Sequence, residues 1–587
     1  MALVLLLALG AVSAGRRAVA QSCQGAAGVE RVSIASSGAQ GDDRSLLPAI
    51  SADGCVVAFK SSASNLVPSD RNDKVDVFVR DRMAGTTVRA SLSDIPGEEA
   101  NDNSFPPALD RDGGIVAFPS LASNIVRGDF NLGADVFVYD RGDALTEILT
   151  LVRDQNGEGR GGGGALDMPP SVSADGSLVA FSSAADDLVA ADDNQTSDVF
   201  VHDRDTGNTT LASVVSSGSA QGRSANGASA GAVMSADGCL VAFYSDASNL
   251  VPGDTNGFRD VFVRDRCIGT TERVSVSSNG EEGNAPSQAT GFAPAMSADG
   301  RYVAFSSAAN NLSPGDSNGV TDIFIRDRSQ GTTVRVAPGG CGTGGGAALE
   351  TAAASSAPSF GANGRFLAFV SLDAGLVGGD TNGVADVFIL DQSSGLIARV
   401  LGDGNVQPNG ASNFPRLSAD GESIVFQSDA SNLVAGDTNE VSDVFVAVNP
   451  FLSGAPIPGV TPLPTCTFTP TQPGETPTRS PTLTRGTPSP APSTPTPAGP
   501  RATAIPSTGP VTATVTPLSP PTATTTPSTP PPTGAETPTM RRKGGGGGCR
   551  LDPRPTRRAI WNVVLGLGFP LLMGVLRRRR CKHARHA

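Results

Sequence analysis

The sequence predicts an all-β fold, a seven-bladed β-propeller closed by an N-terminal strand, and three observations predict it. One phrase recurs seven times; its fullest copy is SADGRYVAFSSAANNLSPGDSNGVTDIFIRDR, from Ser297 to Arg328. A small turn falls at Asp53, Asp112, Asp175, Asp237, Asp299, Asn363 and Asp420, and an Asp opening a D-(V/I)-F triplet follows 23 residues later in every copy. The period between copies varies from 57 to 64 residues. Length changes therefore sit between units and never inside one, as in stacked structural repeats. Secondly, fourteen of the 24 Phe residues occupy two columns, beginning Phe59/Phe78 and ending Phe426/Phe445. One unit cannot bury such rings alone, so they must pack between successive units. Thirdly, the seventh copy stops after its third strand, and Glu30-Arg31-Val32-Ser33 near the N-terminus repeats Glu272-Arg273-Val274-Ser275.

Each unit of about 60 residues reads as a four-stranded antiparallel blade. An Asp-Gly turn joins a short first strand to Val-Ala-Phe-x-Ser, the second strand. After a polar loop, Asp-Val-Phe-Val-x-Asp-Arg forms the third strand. A glycine turn then leads to Thr-Thr-x-Arg-Val-Ser, the fourth, as at Thr332 to Ala337. The middle strands are apolar and β-branched on both faces, which suits sheets covered on either side. The seventh blade lacks a fourth strand, and residues 30–36 are expected to pair beside Asp443 to Val448 and leave no open edge.

The pattern P-x-x-S-x-D-G-x-x-(V/I)-A-F-x-S followed by D-V-F-V-x-D resembles the TolB-type β-propeller repeat over residues 30–450. The resemblance implies the fold. It leaves function open, since such propellers include binding platforms and non-catalytic domains attached to peptidases. The long loop between strands two and three departs from the usual pattern.

Flanking composition sets the domain plan. Residues 1–21 carry an apolar run and small-residue cleavage sites, Ala18-Val19-Ala20 or Val12-Ser13-Ala14, and read as a secretory signal peptide. The propeller spans 22–450. Residues 451–540 turn to Thr, Pro and Ser, with 24 of the 44 prolines between Pro456 and Pro538; such a stretch reads as an extended, disordered stalk. A basic, glycine-rich segment with Cys549 fills 541–558. An apolar stretch at 559–576 is just long enough to span a thin bilayer, and the arginines behind it, in a basic tail at 577–587, place the C-terminus in the cytoplasm. The order glycine run, Cys, apolar helix, arginine cluster resembles the tripartite C-terminal sorting signals of bacterial surface proteins, notably the myxobacterial type. That resemblance implies Cys549 as a processing site; a permanent single-span anchor is the other reading. The chain is thus expected to be exported to the cell surface or periplasm and held to a membrane.

Residues 22–450 carry 26 Lys and Arg against 54 Asp and Glu. An acidic ring without a basic stripe argues against nucleic acid as a partner. Of eight Cys, Cys239 opens strand two of the fourth blade and Cys267 ends its strand three, so antiparallel pairing sets them opposite and predicts a disulfide. Cys55 shares the Cys239 column, but its counterpart is Met83; Cys23, Cys341 and Cys466 stay unassigned.

The loop before strand three carries D-x-N-x-x-x-D in every copy: Asp70/Asn72/Asp76, Asp129/Asn131/Asp135, Asp192/Asn194/Asp198, Asp254/Asn256/Asp260, Asp316/Asn318/Asp322, Asp380/Asn382/Asp386 and Asp437/Asn439/Asp443. Three oxygen side chains at this spacing suit a hard cation such as Ca²⁺. The same residues also cap turns by bonding their own backbone, so both readings stand. His202 is the sole His of the propeller and occupies a column of Arg80, Arg264 and Arg326. A triad or a zinc cluster therefore lacks material. The reading that follows is a non-enzymatic binding module for a protein or glycan ligand, taken up on a polar central face. A hydrolase or lyase with a carboxylate site in the channel is the alternative, and a blade-specific cluster of reactive groups there would favour it.

Overall fold

The computed structural model describes Cys23 and residues 28–458, apart from residues 132, 151, 154–158, 161–167, 217–223, 289–291, 338–352 and 455–456. The signal segment, the greater part of the stalk, Cys549, the apolar stretch and the basic tail lie outside the described residues. Among the described residues no helix is long and apolar enough to cross a membrane.

Seven four-stranded antiparallel sheets make up the seven blades, and a small hairpin (Val152–Arg153 with Gly159–Arg160) stands outside them. Blade one is typical, with strands Ser45–Ile50, Val56–Ser61, Asp76–Asp81 and Thr86–Arg89. Blade seven runs Ser412–Leu417, Ser423–Ser428 and Asp443–Val448, and its fourth strand is the N-terminal Val29–Arg31. The pairing is Val29 with Ala447, Glu30 with Val446 and Arg31 with Phe445, extended by Val32 N–H to Val444 O at 2.9 Å. It starts one residue earlier than the sequence suggests and ends sooner. Ser33 turns inward, donating its hydroxyl to Asp443 Oδ1 at 2.5 Å and accepting from Val444 N–H at 3.1 Å, and this takes the chain off the ladder.

The two faces of each blade differ. One presents the Phe pair, directly opposed across strands two and three (Phe59 with Phe78, Phe369 with Phe388) at ring separations of 6.1 and 5.8 Å. The other presents small aliphatics. Phe118 and Phe137 of blade two pack on Val56, Ala58, Val77 and Val79 of blade one, and Phe59 and Phe78 pack on Val425, Val444 and Val446 of blade seven. The same layer recurs around the ring. Burying one such ring contributes about 1.5–3 kcal/mol, so most of the core energy lies between blades rather than within them.

The Asp-Gly turns add a polar hoop. Ala52 N–H donates to Arg111 O, Arg111 to Ala174, Ala174 to Ala236, Ala236 to Ala298, Ala298 to Ala362, Ala362 to Ala419, and Ala419 back to Ala52, at 2.8–3.4 Å. The turn glycine is obligatory. At Gly300, φ is +68° and a Cβ would lie 2.1 Å from Leu240 Cδ1 of the preceding blade. In five blades an Arg after the third strand secures the turn, as Arg82 Nη1 does by donating to Gly54 O and Arg328 Nη1 to Gly300 O, at 2.5 and 2.6 Å; Gln392 and Asn449 do the same in blades six and seven, donating to Gly364 O and Gly421 O.

Candidate functional site

Two places concentrate what the repeat does not need for packing: the central channel and the acidic loops.

First strands from all seven blades line the channel, a cavity of about 320 Å³. In blades one, four, six and seven these strands carry a bulge, with register shifts at Leu46/Ala49, Ala230/Val233, Ser356/Ser359 and Asn413/Arg416. The bulge residue is left-handed in each: Leu47, Ala357 and Phe414 at φ of 51–52°, Gly231 at 72°. A non-glycine residue there costs about 1–3 kcal/mol, which the surrounding ring offsets. The bulges re-aim neighbouring side chains into the channel. The lining is mainly Pro, Ala, Val, Leu, Ile, Met and Phe, and Phe292 of blade five stacks on Phe414 of blade seven with centroids 5.4 Å apart. The expectation of a polar central face holds in part: the side chains are mainly apolar, while exposed polar atoms, the Arg416 guanidinium among them, share the wall about equally with apolar ones.

One charged side chain interrupts that lining: Arg416. Protein surrounds it on all sides, yet channel solvent still reaches it. Its Nη1 donates to Pro415 O at 3.1 Å, and no carboxylate pairs with it among the described residues. Burial lowers its pKa, but a guanidinium stays charged at neutral pH. Among the described residues no Asp, Glu, His, Lys or Tyr lines the cavity.

The acidic loops are built alike. In blade one, Asn72 Oδ1 accepts from Lys74 N–H at 3.0 Å and its Nδ2 donates to Asp76 Oδ2 at 2.9 Å, so the Asn is both turn cap and buttress. Asn256, Asn318, Asn382 and Asn439 are held in the same way. Their Oδ1 atoms accept from the N–H groups of Phe258, Val320, Val384 and Val441 at 2.9–3.3 Å. Their Nδ2 atoms donate to Oδ2 of Asp260, Asp322, Asp386 and Asp443 at 2.8–3.4 Å. The expectation placed Asn72, Asn256, Asn318, Asn382 and Asn439 facing a cation. The amide oxygen of each is turned to its own backbone, and the amide nitrogen, a donor, is what meets the carboxylate.

Asp76 is fully buried and accepts the Ser91 hydroxyl on Oδ1 at 2.5 Å. Between Asp70 and Asp76 stands Arg89 from the fourth strand, its Nη1 at 3.0 and 3.1 Å from the two carboxylates and its Nη2 at 2.8 Å from Glu99. Arg273 does the same with Asp254, Asp260 and Glu282. Arg335 joins Asp316 to Asp322, Arg399 joins Asp380 to Asp386, and Arg31 joins Asp437 to Asp443. In these five blades a guanidinium thus fills the place between the carboxylates where a metal was expected. In blades two and three the residue paired opposite Phe137 and Phe200 is Ile148 and Leu211 instead. Burial pushes Asp135 and Asp198 up to about 6, and pushes Asp129 and Asp192 up as well.

His202 proves to be a stand-in for arginine. Arg80 and Arg264 donate Nη1 to Thr87 and Thr271 Oγ1 at 3.2 and 3.1 Å, and His202 Nδ1 meets Thr209 Oγ1 at 2.9 Å. Burial lowers its pKa. Cys239 and Cys267 are disulfide-bonded, Cα atoms 5.3 Å apart. Cys55, opposite Met83 in the repeat, bonds to Cys23 and so ties the segment before the closing strand to blade one. The arginine column was visible as the R of T-T-x-R-V-S. Its link to the acidic loop was not, because the partners are 13 and 19 residues away on other segments.

No protein-family model matches the chain, and no curated protein matches its sequence. Solved structures do resemble it. TolB from Acinetobacter baumannii aligns at 16% identity over 55% of this chain, with a TM-score of 0.31. The chain spans 58% of that TolB. An oligogalacturonate lyase in complex with manganese aligns at 12% identity over 72% of this chain and 94% of its own, with a TM-score of 0.43. The β-propeller domain of the trilobed protease from Pyrococcus furiosus aligns at 10% identity over 70% and 93%, with a TM-score of 0.41. At these values the resemblances transfer no activity. The seven-bladed ring is read from the strand pairing itself.

Proposed function

We propose that this chain is an exported, surface-displayed binding module, and that it takes up a protein or glycan ligand at the channel without catalysis. The observation that carries the reading is the channel lining. A lumen walled by mainly apolar side chains, with exposed polar atoms in about equal measure and the cation Arg416 among them, has a means of holding an anionic group on a partly apolar body, and among the described residues it shows no acid–base pair with which to transform it. The class of ligand that fits is one ending in a carboxylate: an acidic peptide segment or a uronate-bearing glycan. Two disulfides support an oxidising compartment. The stalk at 451–540 and the segment at 559–576 would hold the ring away from a membrane.

Binding of immobilised acidic peptides and of uronate oligosaccharides to the purified chain tests this, with Arg416→Gln beside it. Loss of a charge-assisted hydrogen bond of roughly 1.5–3 kcal/mol should weaken binding about ten- to a hundredfold while the melting curve stays in place. Turnover of either ligand class, or binding indifferent to Arg416→Gln, would overturn the reading.

A further inference from the structure

Blades two and three keep the acidic pair and lose the arginine that every other blade places between its carboxylates. The carboxylates nevertheless stay buried: Asp135 and Asp198 are 0% exposed, Asp129 5% and Asp192 8%. Among the described residues no ion pair reaches any of the four, whereas each of the other five pairs has one. Oδ2 of Asp135 and both oxygens of Asp192 lack a hydrogen bond of normal geometry, although the Asn194 N–H lies near enough to Asp192 to favour its charged form. Asp254 and Asp386 also keep one unpartnered oxygen, but each is ion-paired through the other, to Arg273 and Arg399. In blade two the buttress has shifted as well. Asn131 Nδ2 and Thr150 Oγ1 both donate to Asp135 Oδ1, which leaves Oδ2 clear.

The bridge that pairs Leu92 with Glu99 and Val276 with Glu282 pairs Val214 with Ser224 in blade three. The extra carboxylate that accompanies Arg89 and Arg273 is thus absent there, as it is in blade seven, where Gln40 holds the place and Arg31 is kept. Ser224 instead donates its hydroxyl to Asp193 Oδ1. A third oxygen also belongs to the arrangement. The guanidinium in three blades donates Nη2 to the carbonyl before the loop Asp: Arg335 to Gly315, Arg399 to Gly379 and Arg31 to Gly436, at 3.1–3.3 Å. Gly128 and Ala191 hold that position in blades two and three.

We propose that blades two and three each bind one Ca²⁺ in the place that arginine fills elsewhere. Asp129, Asp135 and the Gly128 carbonyl would supply oxygens in blade two; Asp192, Asp198 and the Ala191 carbonyl would do so in blade three. Asn131 and Asn194 buttress the site rather than ligate. Their Oδ1 atoms accept the Gly133 and Thr196 N–H groups at 2.8 Å, and their Nδ2 atoms donate to Asp135 and Asp198. Two carboxylates balance the charge of a divalent ion, and a flexible, all-oxygen shell completed by water suits Ca²⁺. Ile148 and Leu211, both half-buried, offer no ligand and cover the apolar side. The proposal is independent of the channel and of its ligand.

Calorimetric titration of the chelator-treated full chain with CaCl₂ tests it. The expected stoichiometry is two per chain. Ile148→Arg or Leu211→Arg should each remove one site, and together remove both, with the circular dichroism spectrum retained. Asp129→Asn and Asp192→Asn should each weaken one site at least tenfold, so the test survives if an arginine variant misfolds. Asp380→Asn in blade six should leave the count at two. No binding, seven sites, or unchanged binding in the double arginine variant would each overturn the proposal.

Discussion

Blades four and three descend from one phrase and solve the same electrostatic problem in different ways. In blade four, Arg273 draws Asp254, Asp260 and Glu282 into one buried network, and Glu282 is held down to about 2 although burial opposes this. In blade three, Leu211 takes the arginine position and two carboxylates are left in a site of equal depth, with Asp198 pushed up to about 6. The difference teaches that the D-x-N-x-x-x-D loop is a frame for a positive charge, and that the charge is supplied separately from the frame. Within the loop, Asn256 and Asn194 make the same two bonds, so the Asn and the strand Asp are fixed by turn geometry in both blades. Only the occupant changes.

The comparison breaks most visibly at Arg273. Arg273→Leu copies blade three into blade four but leaves three carboxylates without a cation. Removing one partner of a buried pair costs about 3–5 kcal/mol, so chemical denaturation in chelator should report a loss of that size. A loss below about 1 kcal/mol would mean that the arginine is not what balances the loop. Next in size is the converse. Leu211→Arg in chelator should recover part of the roughly 1–3 kcal/mol that an unsatisfied buried polar group costs, raising the midpoint of the same titration.

The pH dependence is set by burial. Burial raises the folded pKa of Asp135 and Asp198 to about 6, as it does for Asp70 and Asp386 beside their arginines, above the unfolded value near 3.9. Stability from these groups is therefore fully present below about pH 4 and is lost as pH rises through 6. Chelated protein should melt higher at pH 5 than at pH 7.5, and the Ile148→Arg/Leu211→Arg pair should show a smaller rise. Equal slopes would remove these two aspartates from the account. The smallest expected effect is in blade six. Leu401 replaces the Ser that bonds Asp76 and Asp260 in blades one and four, and Asp386 Oδ1 is left unpartnered. Leu401→Ser should supply that donor, worth about 1.5–3 kcal/mol, against about 1 kcal/mol of lost apolar burial. The melting temperature should rise slightly at pH 7.

How much of this the sequence disclosed follows from how the repeat encodes it. The seven blades, the strand order and the closing strand were legible, because each is written in every copy and in the missing fourth strand of the last. The Phe columns announced inter-blade layers for the same reason. The turn-capping role of Asn72, Asn256, Asn318, Asn382 and Asn439 was legible as one of two readings, since Asn at that spacing serves a turn or a cation equally well. The Arg–Asp ties were not legible, since they join residues on different strands whose register the sequence does not state. What could have been seen is the exception: Ile148 and Leu211 break a column that is otherwise arginine. Arg416 carried no signal, because it lies on a first strand whose residues vary from blade to blade and whose bulge sets the direction of the side chain. The Cys23–Cys55 bond was hidden by the rule that worked for Cys239, since Cys55 finds its partner outside the repeat.

The central claim is that each loop holds one positive charge, from arginine in five blades and from a bound ion in two. Crystals of the protein grown with CaCl₂, measured at a wavelength where calcium scatters anomalously, test it most directly. Two anomalous peaks are expected, one between Asp129 and Asp135 and one between Asp192 and Asp198. Arginine density and no peak are expected in the other five loops. Peaks beside Arg89 or Arg273, or blades two and three holding no ion at millimolar calcium, would contradict it.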